Sequence, residues 1–129
     1  MPAAQAQDAG AISAADKAEI RKVIGAQLEA FQHDDAAAAF SLATPAIQRA
    51  FRSAENFMKM VKTSYLPVYR PRAVNFLALE MVAGVPIQAL QLLGPDGSVV
   101  VAFYTMQLQP DKTWKIDGCE LAPANAVSI

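Results

Sequence analysis

The order of periodicities along the chain constrains its fold more than any single motif. Apolar residues recur at helical spacing through the first half. From about residue 73 onward, apolar and β-branched residues run in short segments separated by turn signals. Helical segments followed by strand segments predict an α+β domain, with helices covering one face of an antiparallel meander, rather than alternating βαβ units. At 129 residues the chain is long enough for one domain with one core. A hydrophobic share of 53% against 18% charged residues excludes a disordered chain.

The helical half is punctuated by caps. Ser13-Ala14-Ala15-Asp16 has the form of a capping box, and Ile20, Val23, Ile24, Leu28 and Phe31 make one apolar stripe, so a helix is expected over 14–32. Asp34 or Asp35 caps a short helix over 36–42, anchored by Phe40. Thr44-Pro45, a cap followed by proline in the first turn, starts another over 45–51 that buries Ile47 and Phe51. Ser53 caps a fourth over 54–64, with Phe57, Met58, Met60 and Val61 inward. Residues 65–71 contain Pro67 and Pro71, which hold Leu66 and Arg70 extended. The segment is therefore read as a rigid, non-helical connector.

Four strands are predicted over 73–82, 85–93, 98–109 and 114–121, joined at Ala83-Gly84, Gly94–Gly97 and Pro110–Thr113. Residues 1–12 read as a disordered N-terminal remnant, 13–121 as the single domain and 122–129 as a loose tail. The third strand is apolar on both faces: Val99, Val101, Phe103 and Thr105 on one, and Val100, Ala102, Tyr104, Met106 and Leu108 on the other. One layer of helices covers only one face. The other is expected to meet a second copy, giving a homodimer through the sheet that involves Trp114 or the outward residues of 98–109.

Several classes of partner find no support. The net charge is −1 and no basic block stands out, so neither nucleic acid nor a membrane surface is expected. The apolar run around Val99–Tyr104 is far too short to span a bilayer. The single cysteine, Cys119, excludes an intrachain disulfide and a cysteine-based zinc cluster. There is no phosphate loop, metal-ligand spacing or nucleophile elbow, so no cofactor, metal or catalytic residue is assigned. Ala4-Gln5-Ala6 before Gln7 has the small-x-small form that ends a secretory signal, and a periplasmic or secreted protein is expected from it, otherwise a cytoplasmic one.

Candidate ligand contacts are few. Tyr65, Tyr69 and Arg70 lie in the proline-held connector, where hydroxyls and a guanidinium suit a pocket rim. Glu80 alternates with Val74, Phe76, Ala78 and Val82, which would place a carboxylate on an apolar face. Gln91 shares a face with Ile87, Ala89 and Leu93, and Tyr104 is a hydrogen-bond donor on the longest strand. His33 with Asp34 and Asp35 is the one local histidine–carboxylate cluster, better read as a helix end followed by a cap. Cys119 reads as a small buried hydrophobe and Trp114 as an anchor.

These residues together resemble a known family. Ala30-Phe31, Asp34–Phe40, Ala43-Thr44-Pro45-Ala46-Ile47-Gln48 and Phe51, then Phe57, Met60, Val61, Tyr65, Val68, Arg70-Pro71 and Phe76, and finally Trp114-Lys115-Ile116 with Gly118, are similar to the bacterial family known as domain of unknown function 4864, over roughly residues 17–121. The resemblance implies a nuclear transport factor 2-like, cystatin-like cone of helices on a curved sheet, and fits an exported protein. It implies no reaction and assigns no site residue. The leading expectation is noncatalytic binding of a small apolar molecule in a cone-shaped cavity. The alternatives are a cofactor-independent enzyme of the ketosteroid-isomerase-like or polyketide-cyclase-like type, with Glu80 as base and Tyr65 or Tyr104 as donor, and a structural interaction module.

Overall fold

A computed structural model describes residues 12–124. It contains helices α1 (Ala14–Gln32), α2 (Ala36–Ser41), α3 (Pro45–Phe51), α4 (Ala54–Ser64) and α5 (Leu66–Tyr69), followed by strands β1 (Ala73–Val82), β2 (Val85–Leu93), β3 (Val99–Leu108) and β4 (Trp114–Pro123). The signal-like Ala4-Gln5-Ala6 lies outside the described residues, as does most of the N-terminal remnant.

Each of the first four helices starts where a short polar side chain satisfies an orphan amide. The Asp16 amide donates to Ser13 Oγ at 3.0 Å, that of Ala38 to Asp35 Oδ1 at 3.1 Å, and that of Asn56 to Ser53 Oγ at 3.1 Å. Thr44 caps α3, with Pro45 in the first turn. Asp16 does not complete a reciprocal capping box. Its carboxylate instead accepts from Trp114 Nε1 at 3.1 Å, tying the start of α1 to the start of β4.

Residues 65–71 depart from the non-helical expectation, because Leu66–Tyr69 forms one helical turn. Pro67 sits in that first turn, where its missing N–H would lack a partner in any case. The turn buries Val68. The C-terminal boundary also differs. β4 runs past Leu121, pairing Ala122 with Val101 and Pro123 with Val100, and 125–129 lie outside the described residues.

The sheet is an antiparallel meander in the order β1-β2-β3-β4. Register shifts between Phe76 and Leu79 in the first pair, and at Thr105/Met106 in the last, bend it around the helices. The free side of β4 is partly covered: the Thr44 amide donates to Ile116 O, and the Ile116 amide to Leu42 O, each at 2.9 Å. Thr44 Oγ1 adds a 2.7 Å bond to Asp117 Oδ1.

The core lies between the helices and one sheet face. Ile20, Ile24, Leu28 and Phe31 of α1 pack with Leu90 and Leu92 of β2, Ala102, Tyr104 and Met106 of β3, and Trp114 and Ile116 of β4. Among the described residues, no helix packs on the opposite face, reached by the alternate residues Ile87, Ala89, Val99, Val101 and Phe103; Val99 is exposed there, while Val101 is buried by its neighbours. No helix among the described residues is long and apolar enough to cross a membrane.

Candidate functional site: a cavity between helices and sheet

A cavity of about 500 Å³ opens between the helices and the β3–β4 half of the sheet. α1 contributes Gln27 and Phe31, α3 Ile47 and Phe51, α4 Phe57, Met60, Val61 and Ser64, and α5 Val68. The sheet side supplies Tyr104, Ile116, Gly118 and Cys119, with Ala43 and Tyr65 completing the wall. Phe57 is the hub of the aromatic side. Its ring centroid lies 6.3 Å from that of Phe31, 5.5 Å from Phe40 and 5.6 Å, edge-on, from Phe51. Such pairs each add about 0.5–1.5 kcal/mol beyond the area they bury. Ile47, Phe51 and Met60 are only half-buried and Ser64 is exposed, so these residues mark the side nearest solvent.

The polar groups of the wall are few and neutral. The buried Gln27 donates through Nε2 to Ala39 O at 3.1 Å. A carbonyl only accepts, so this bond fixes the amide orientation and leaves Gln27 Oε1 uncommitted among the described residues. Tyr65 Oη donates to Cys119 O at 2.9 Å. Desolvation, then the nearby Cys119 and Glu120, raise its pKa above the ordinary tyrosine value. Tyr104 is fully buried, and desolvation pushes its pKa far above that value. Cys119 faces Tyr104 across the β3–β4 register. It is only half-buried as a residue, yet lost hydration pushes its thiol up to about 12. Among the described residues, no carboxylate, histidine, lysine or arginine lines the cavity.

The family model described as Domain of unknown function (DUF4864) matches residues 13–129. The chain belongs to that family. No curated protein and no solved structure matches it significantly.

In this DUF4864 domain only two of the six residues singled out from sequence, Tyr65 and Tyr104, reach the cavity wall. Glu80 is exposed and pairs in register with Ile87, on the face away from the helices. Alternation counted from Phe76 fails because the bulge between Phe76 and Leu79 reverses the parity of the strand, so that Leu79 points inward and Glu80 outward. Gln91 does share a face with Ile87, Ala89 and Leu93, but that is the outer face, and it is exposed. The buried glutamine of β2 is Gln88, whose Nε2 donates to Leu77 O at the bulge and to Ala89 O, each at 2.8 Å.

Tyr69 and Arg70 form a separate clamp at the end of α1. Arg70 donates through Nη1 to Phe31 O and through Nη2 to Asp34 Oδ2 at 3.0 Å. Tyr69 Oη donates to Asp34 Oδ1. The guanidinium lies over the Tyr69 ring at 4.1 Å. The Tyr69 hydroxyl and then Arg70 hold the Asp34 carboxyl below its usual value, while Asp34 raises that of Tyr69. The clamp satisfies a terminal carbonyl of α1 and docks α5 against it. His33 pairs with Glu29 at 2.9 Å on the surface, away from the cavity. Among the described residues, no group of three or more His, Cys, Asp or Glu side chains could hold a metal ion.

Gln27 and Phe57 escaped the sequence reading as site residues. Gln27 had a signal, since it lies three residues after Ile24 and four before Phe31, within the buried stripe of α1. The focal position of Phe57 had none, because it depends on three other segments converging on one ring.

Proposed function

We propose that this domain binds a small, largely apolar, uncharged molecule in the cavity between its helices and sheet, without transforming it, and that it does so outside the cytoplasm. The observation that carries the reading is the cavity itself. Its volume of about 500 Å³ falls within the range of small-molecule sites, and its wall is mostly aromatic and aliphatic with a few neutral polar groups. The competing reading, proton transfer in a ketosteroid-isomerase-like cone, needs a carboxylate or histidine in the wall. Glu80 lies on the other face, and among the described residues no other carboxylate or histidine lines the wall. Export rests on the Ala4-Gln5-Ala6 pattern.

The test is titration with the apolar fluorophore N-phenyl-1-naphthylamine, paired with native mass spectrometry of protein taken from its own host. Saturable binding near one equivalent is expected. Ser64→Trp, at an exposed wall position, should weaken it at least tenfold with the melting temperature unchanged. Absence of saturable binding, or binding indifferent to Ser64→Trp, refutes the reading. Fractionation of the protein expressed from its full native reading frame tests export.

A second reading concerns assembly and rests on the outer sheet face. Ile87, Ala89, Val99 and Phe103 carry no helix over them, which supports a homodimer formed through the sheets of two copies.

A further inference from the structure

Tyr104 is 0% exposed, and its hydroxyl meets no hydrogen-bond partner with bonding geometry among the described residues. Buried hydroxyls are nearly always paired, because leaving one unpaired costs the full desolvation of the group. A phenylalanine would fill the same space without that cost. The neighbours do not relieve it. Tyr65 Oη is committed to Cys119 O, and the Cys119 thiol lies near enough to the phenol for each to shift the other, but sulfur is a weak partner and the angles of a hydrogen bond are not met. Tyr104 nevertheless forms part of the cavity wall, beside Tyr65 and Cys119. The hydroxyl itself is closed to solvent, so an occupant would reach the unpaired group by displacing the wall side chains beside it. Desolvation keeps the phenol protonated, so it presents a donor.

We infer that the Tyr104 hydroxyl is the polar anchor of the site, donating a hydrogen bond to a neutral acceptor oxygen, such as a ketone, aldehyde or ester carbonyl, on an otherwise apolar occupant. The inference rests on the cavity-binding reading above and specifies its ligand class. A carboxylate or phosphate would enter a wall with no cation to offset its lost hydration, so acids are rejected. An amine would meet no carboxylate and is rejected likewise.

Three probes of one shape separate these possibilities: 2-acetylnaphthalene, 2-ethylnaphthalene and 2-naphthoate, measured by isothermal calorimetry or ligand-observed NMR on the wild-type chain and on Tyr104→Phe. The ketone should bind wild type about 3- to 10-fold more tightly than the hydrocarbon, the span of one ordinary hydrogen bond. Naphthoate should bind more weakly than either. Tyr104→Phe should erase the ketone's advantage while leaving the hydrocarbon unchanged, and its ligand-free melting temperature should equal or exceed that of wild type.

Equal binding of ketone and hydrocarbon by wild type removes the anchor and leaves the cavity reading standing. So does a preference that survives Tyr104→Phe, or naphthoate binding as tightly as the ketone. A Tyr104→Phe chain that melts well below wild type, or fails to fold, shows the hydroxyl already satisfied and also overturns the inference. If none of the three probes binds the folded wild-type protein, the cavity reading fails and the anchor with it.

Discussion

Tyr65 Oη donates to the main-chain carbonyl of Cys119 at 2.9 Å across a separation of 54 residues, fastening the junction of α4 and α5 to β4. This bond holds one side of the cavity shut against the sheet. Tyr65→Phe keeps the ring and removes only the donor, leaving a part-buried carbonyl unpaired. The expected cost is about 1 kcal/mol, or a fall of about 4 °C in melting temperature for a domain of this size. Thermal unfolding checks it. A variant as stable as wild type would mean that the carbonyl finds water and the wall is held by packing alone.

Arg70→Ala tests the clamp on α1. The substitution frees the Phe31 carbonyl and loosens the hold on Asp34. The partners are partly exposed, so the expected loss at neutral pH is small, a modest fall in the urea midpoint. Asp34 supplies the pH dependence. Its carboxyl is held below the ordinary value of 3.8, so its contribution is fully present above that pH and is lost as pH falls through the lowered folded pKa. Urea midpoints of wild type and variant should therefore differ at pH 7 and draw closer as the solution is acidified below about 3.8, leaving the part due to the Phe31 carbonyl. A gap that persists unchanged at pH 2 would place the effect in the Phe31 carbonyl and packing against Tyr69 rather than in the ion pair.

The fold was legible wherever a local signal decides local structure. Ser13, Asp35, Thr44 and Ser53 each cap the helix that follows, and the turns at Ala83-Gly84 and Gly94–Gly97 join strands in sequential order. Legibility failed where one irregular residue changes the meaning of all that follow. The bulge in β1 carried Glu80 from the expected inner face to solvent, and no residue type around Leu77 and Ala78 announces it. The proline rule failed differently at Leu66–Tyr69, since Pro67 restricts the residue before it but is welcome in a first helical turn. The cavity was legible only in outline. Tyr65 and Tyr104 were among its candidates, yet most of the wall comes from α1, α3 and α4, whose convergence is a tertiary fact.

Cys119 should be an inert thiol. Raising its pKa from 9.0 to about 12 lowers the thiolate fraction near pH 8 about a thousandfold, and the thiolate is the reactive form. Labelling by 5,5′-dithiobis(2-nitrobenzoate) at pH 8 should be slower in the native protein than in urea by two orders of magnitude or more. The sign of the linkage follows. The native state holds this proton more tightly than the unfolded one, so the stabilisation is complete below about 9 and drains away as pH rises toward about 12. Cys119→Ala should flatten the first part of that alkaline decline, near pH 9, where the raised Tyr65, Tyr69 and Tyr104, with an ordinary value of 10.0, contribute least. Native labelling as fast as that of the unfolded chain would contradict the desolvated setting.

The outer sheet face makes the sharpest demand on assembly. It is apolar at Ile87, Ala89, Leu93, Val99, Val101 and Phe103, and among the described residues no helix packs over it. Strands of 9 or 10 residues, four abreast, present a face of roughly 33 by 19 Å. That is comparable with the ~800 Å² each partner buries in a standard stable interface. The bend of the sheet works against flat stacking of two copies, and the exposed Gln91 and Glu120 interrupt the apolar surface. Val101 is already buried within a single copy, so an interface would draw on the half-buried Ile87, Ala89 and Phe103 and the exposed Val99, with Gln91 and Glu120 beside them. Phe103→Glu puts a charge on that surface without touching the cavity side of β3. Sedimentation velocity at micromolar concentration should give a dimer for wild type and a folded monomer for Phe103→Glu. A monomeric wild type, with the variant indistinguishable from it in mass and solubility, would show that the face needs no second copy.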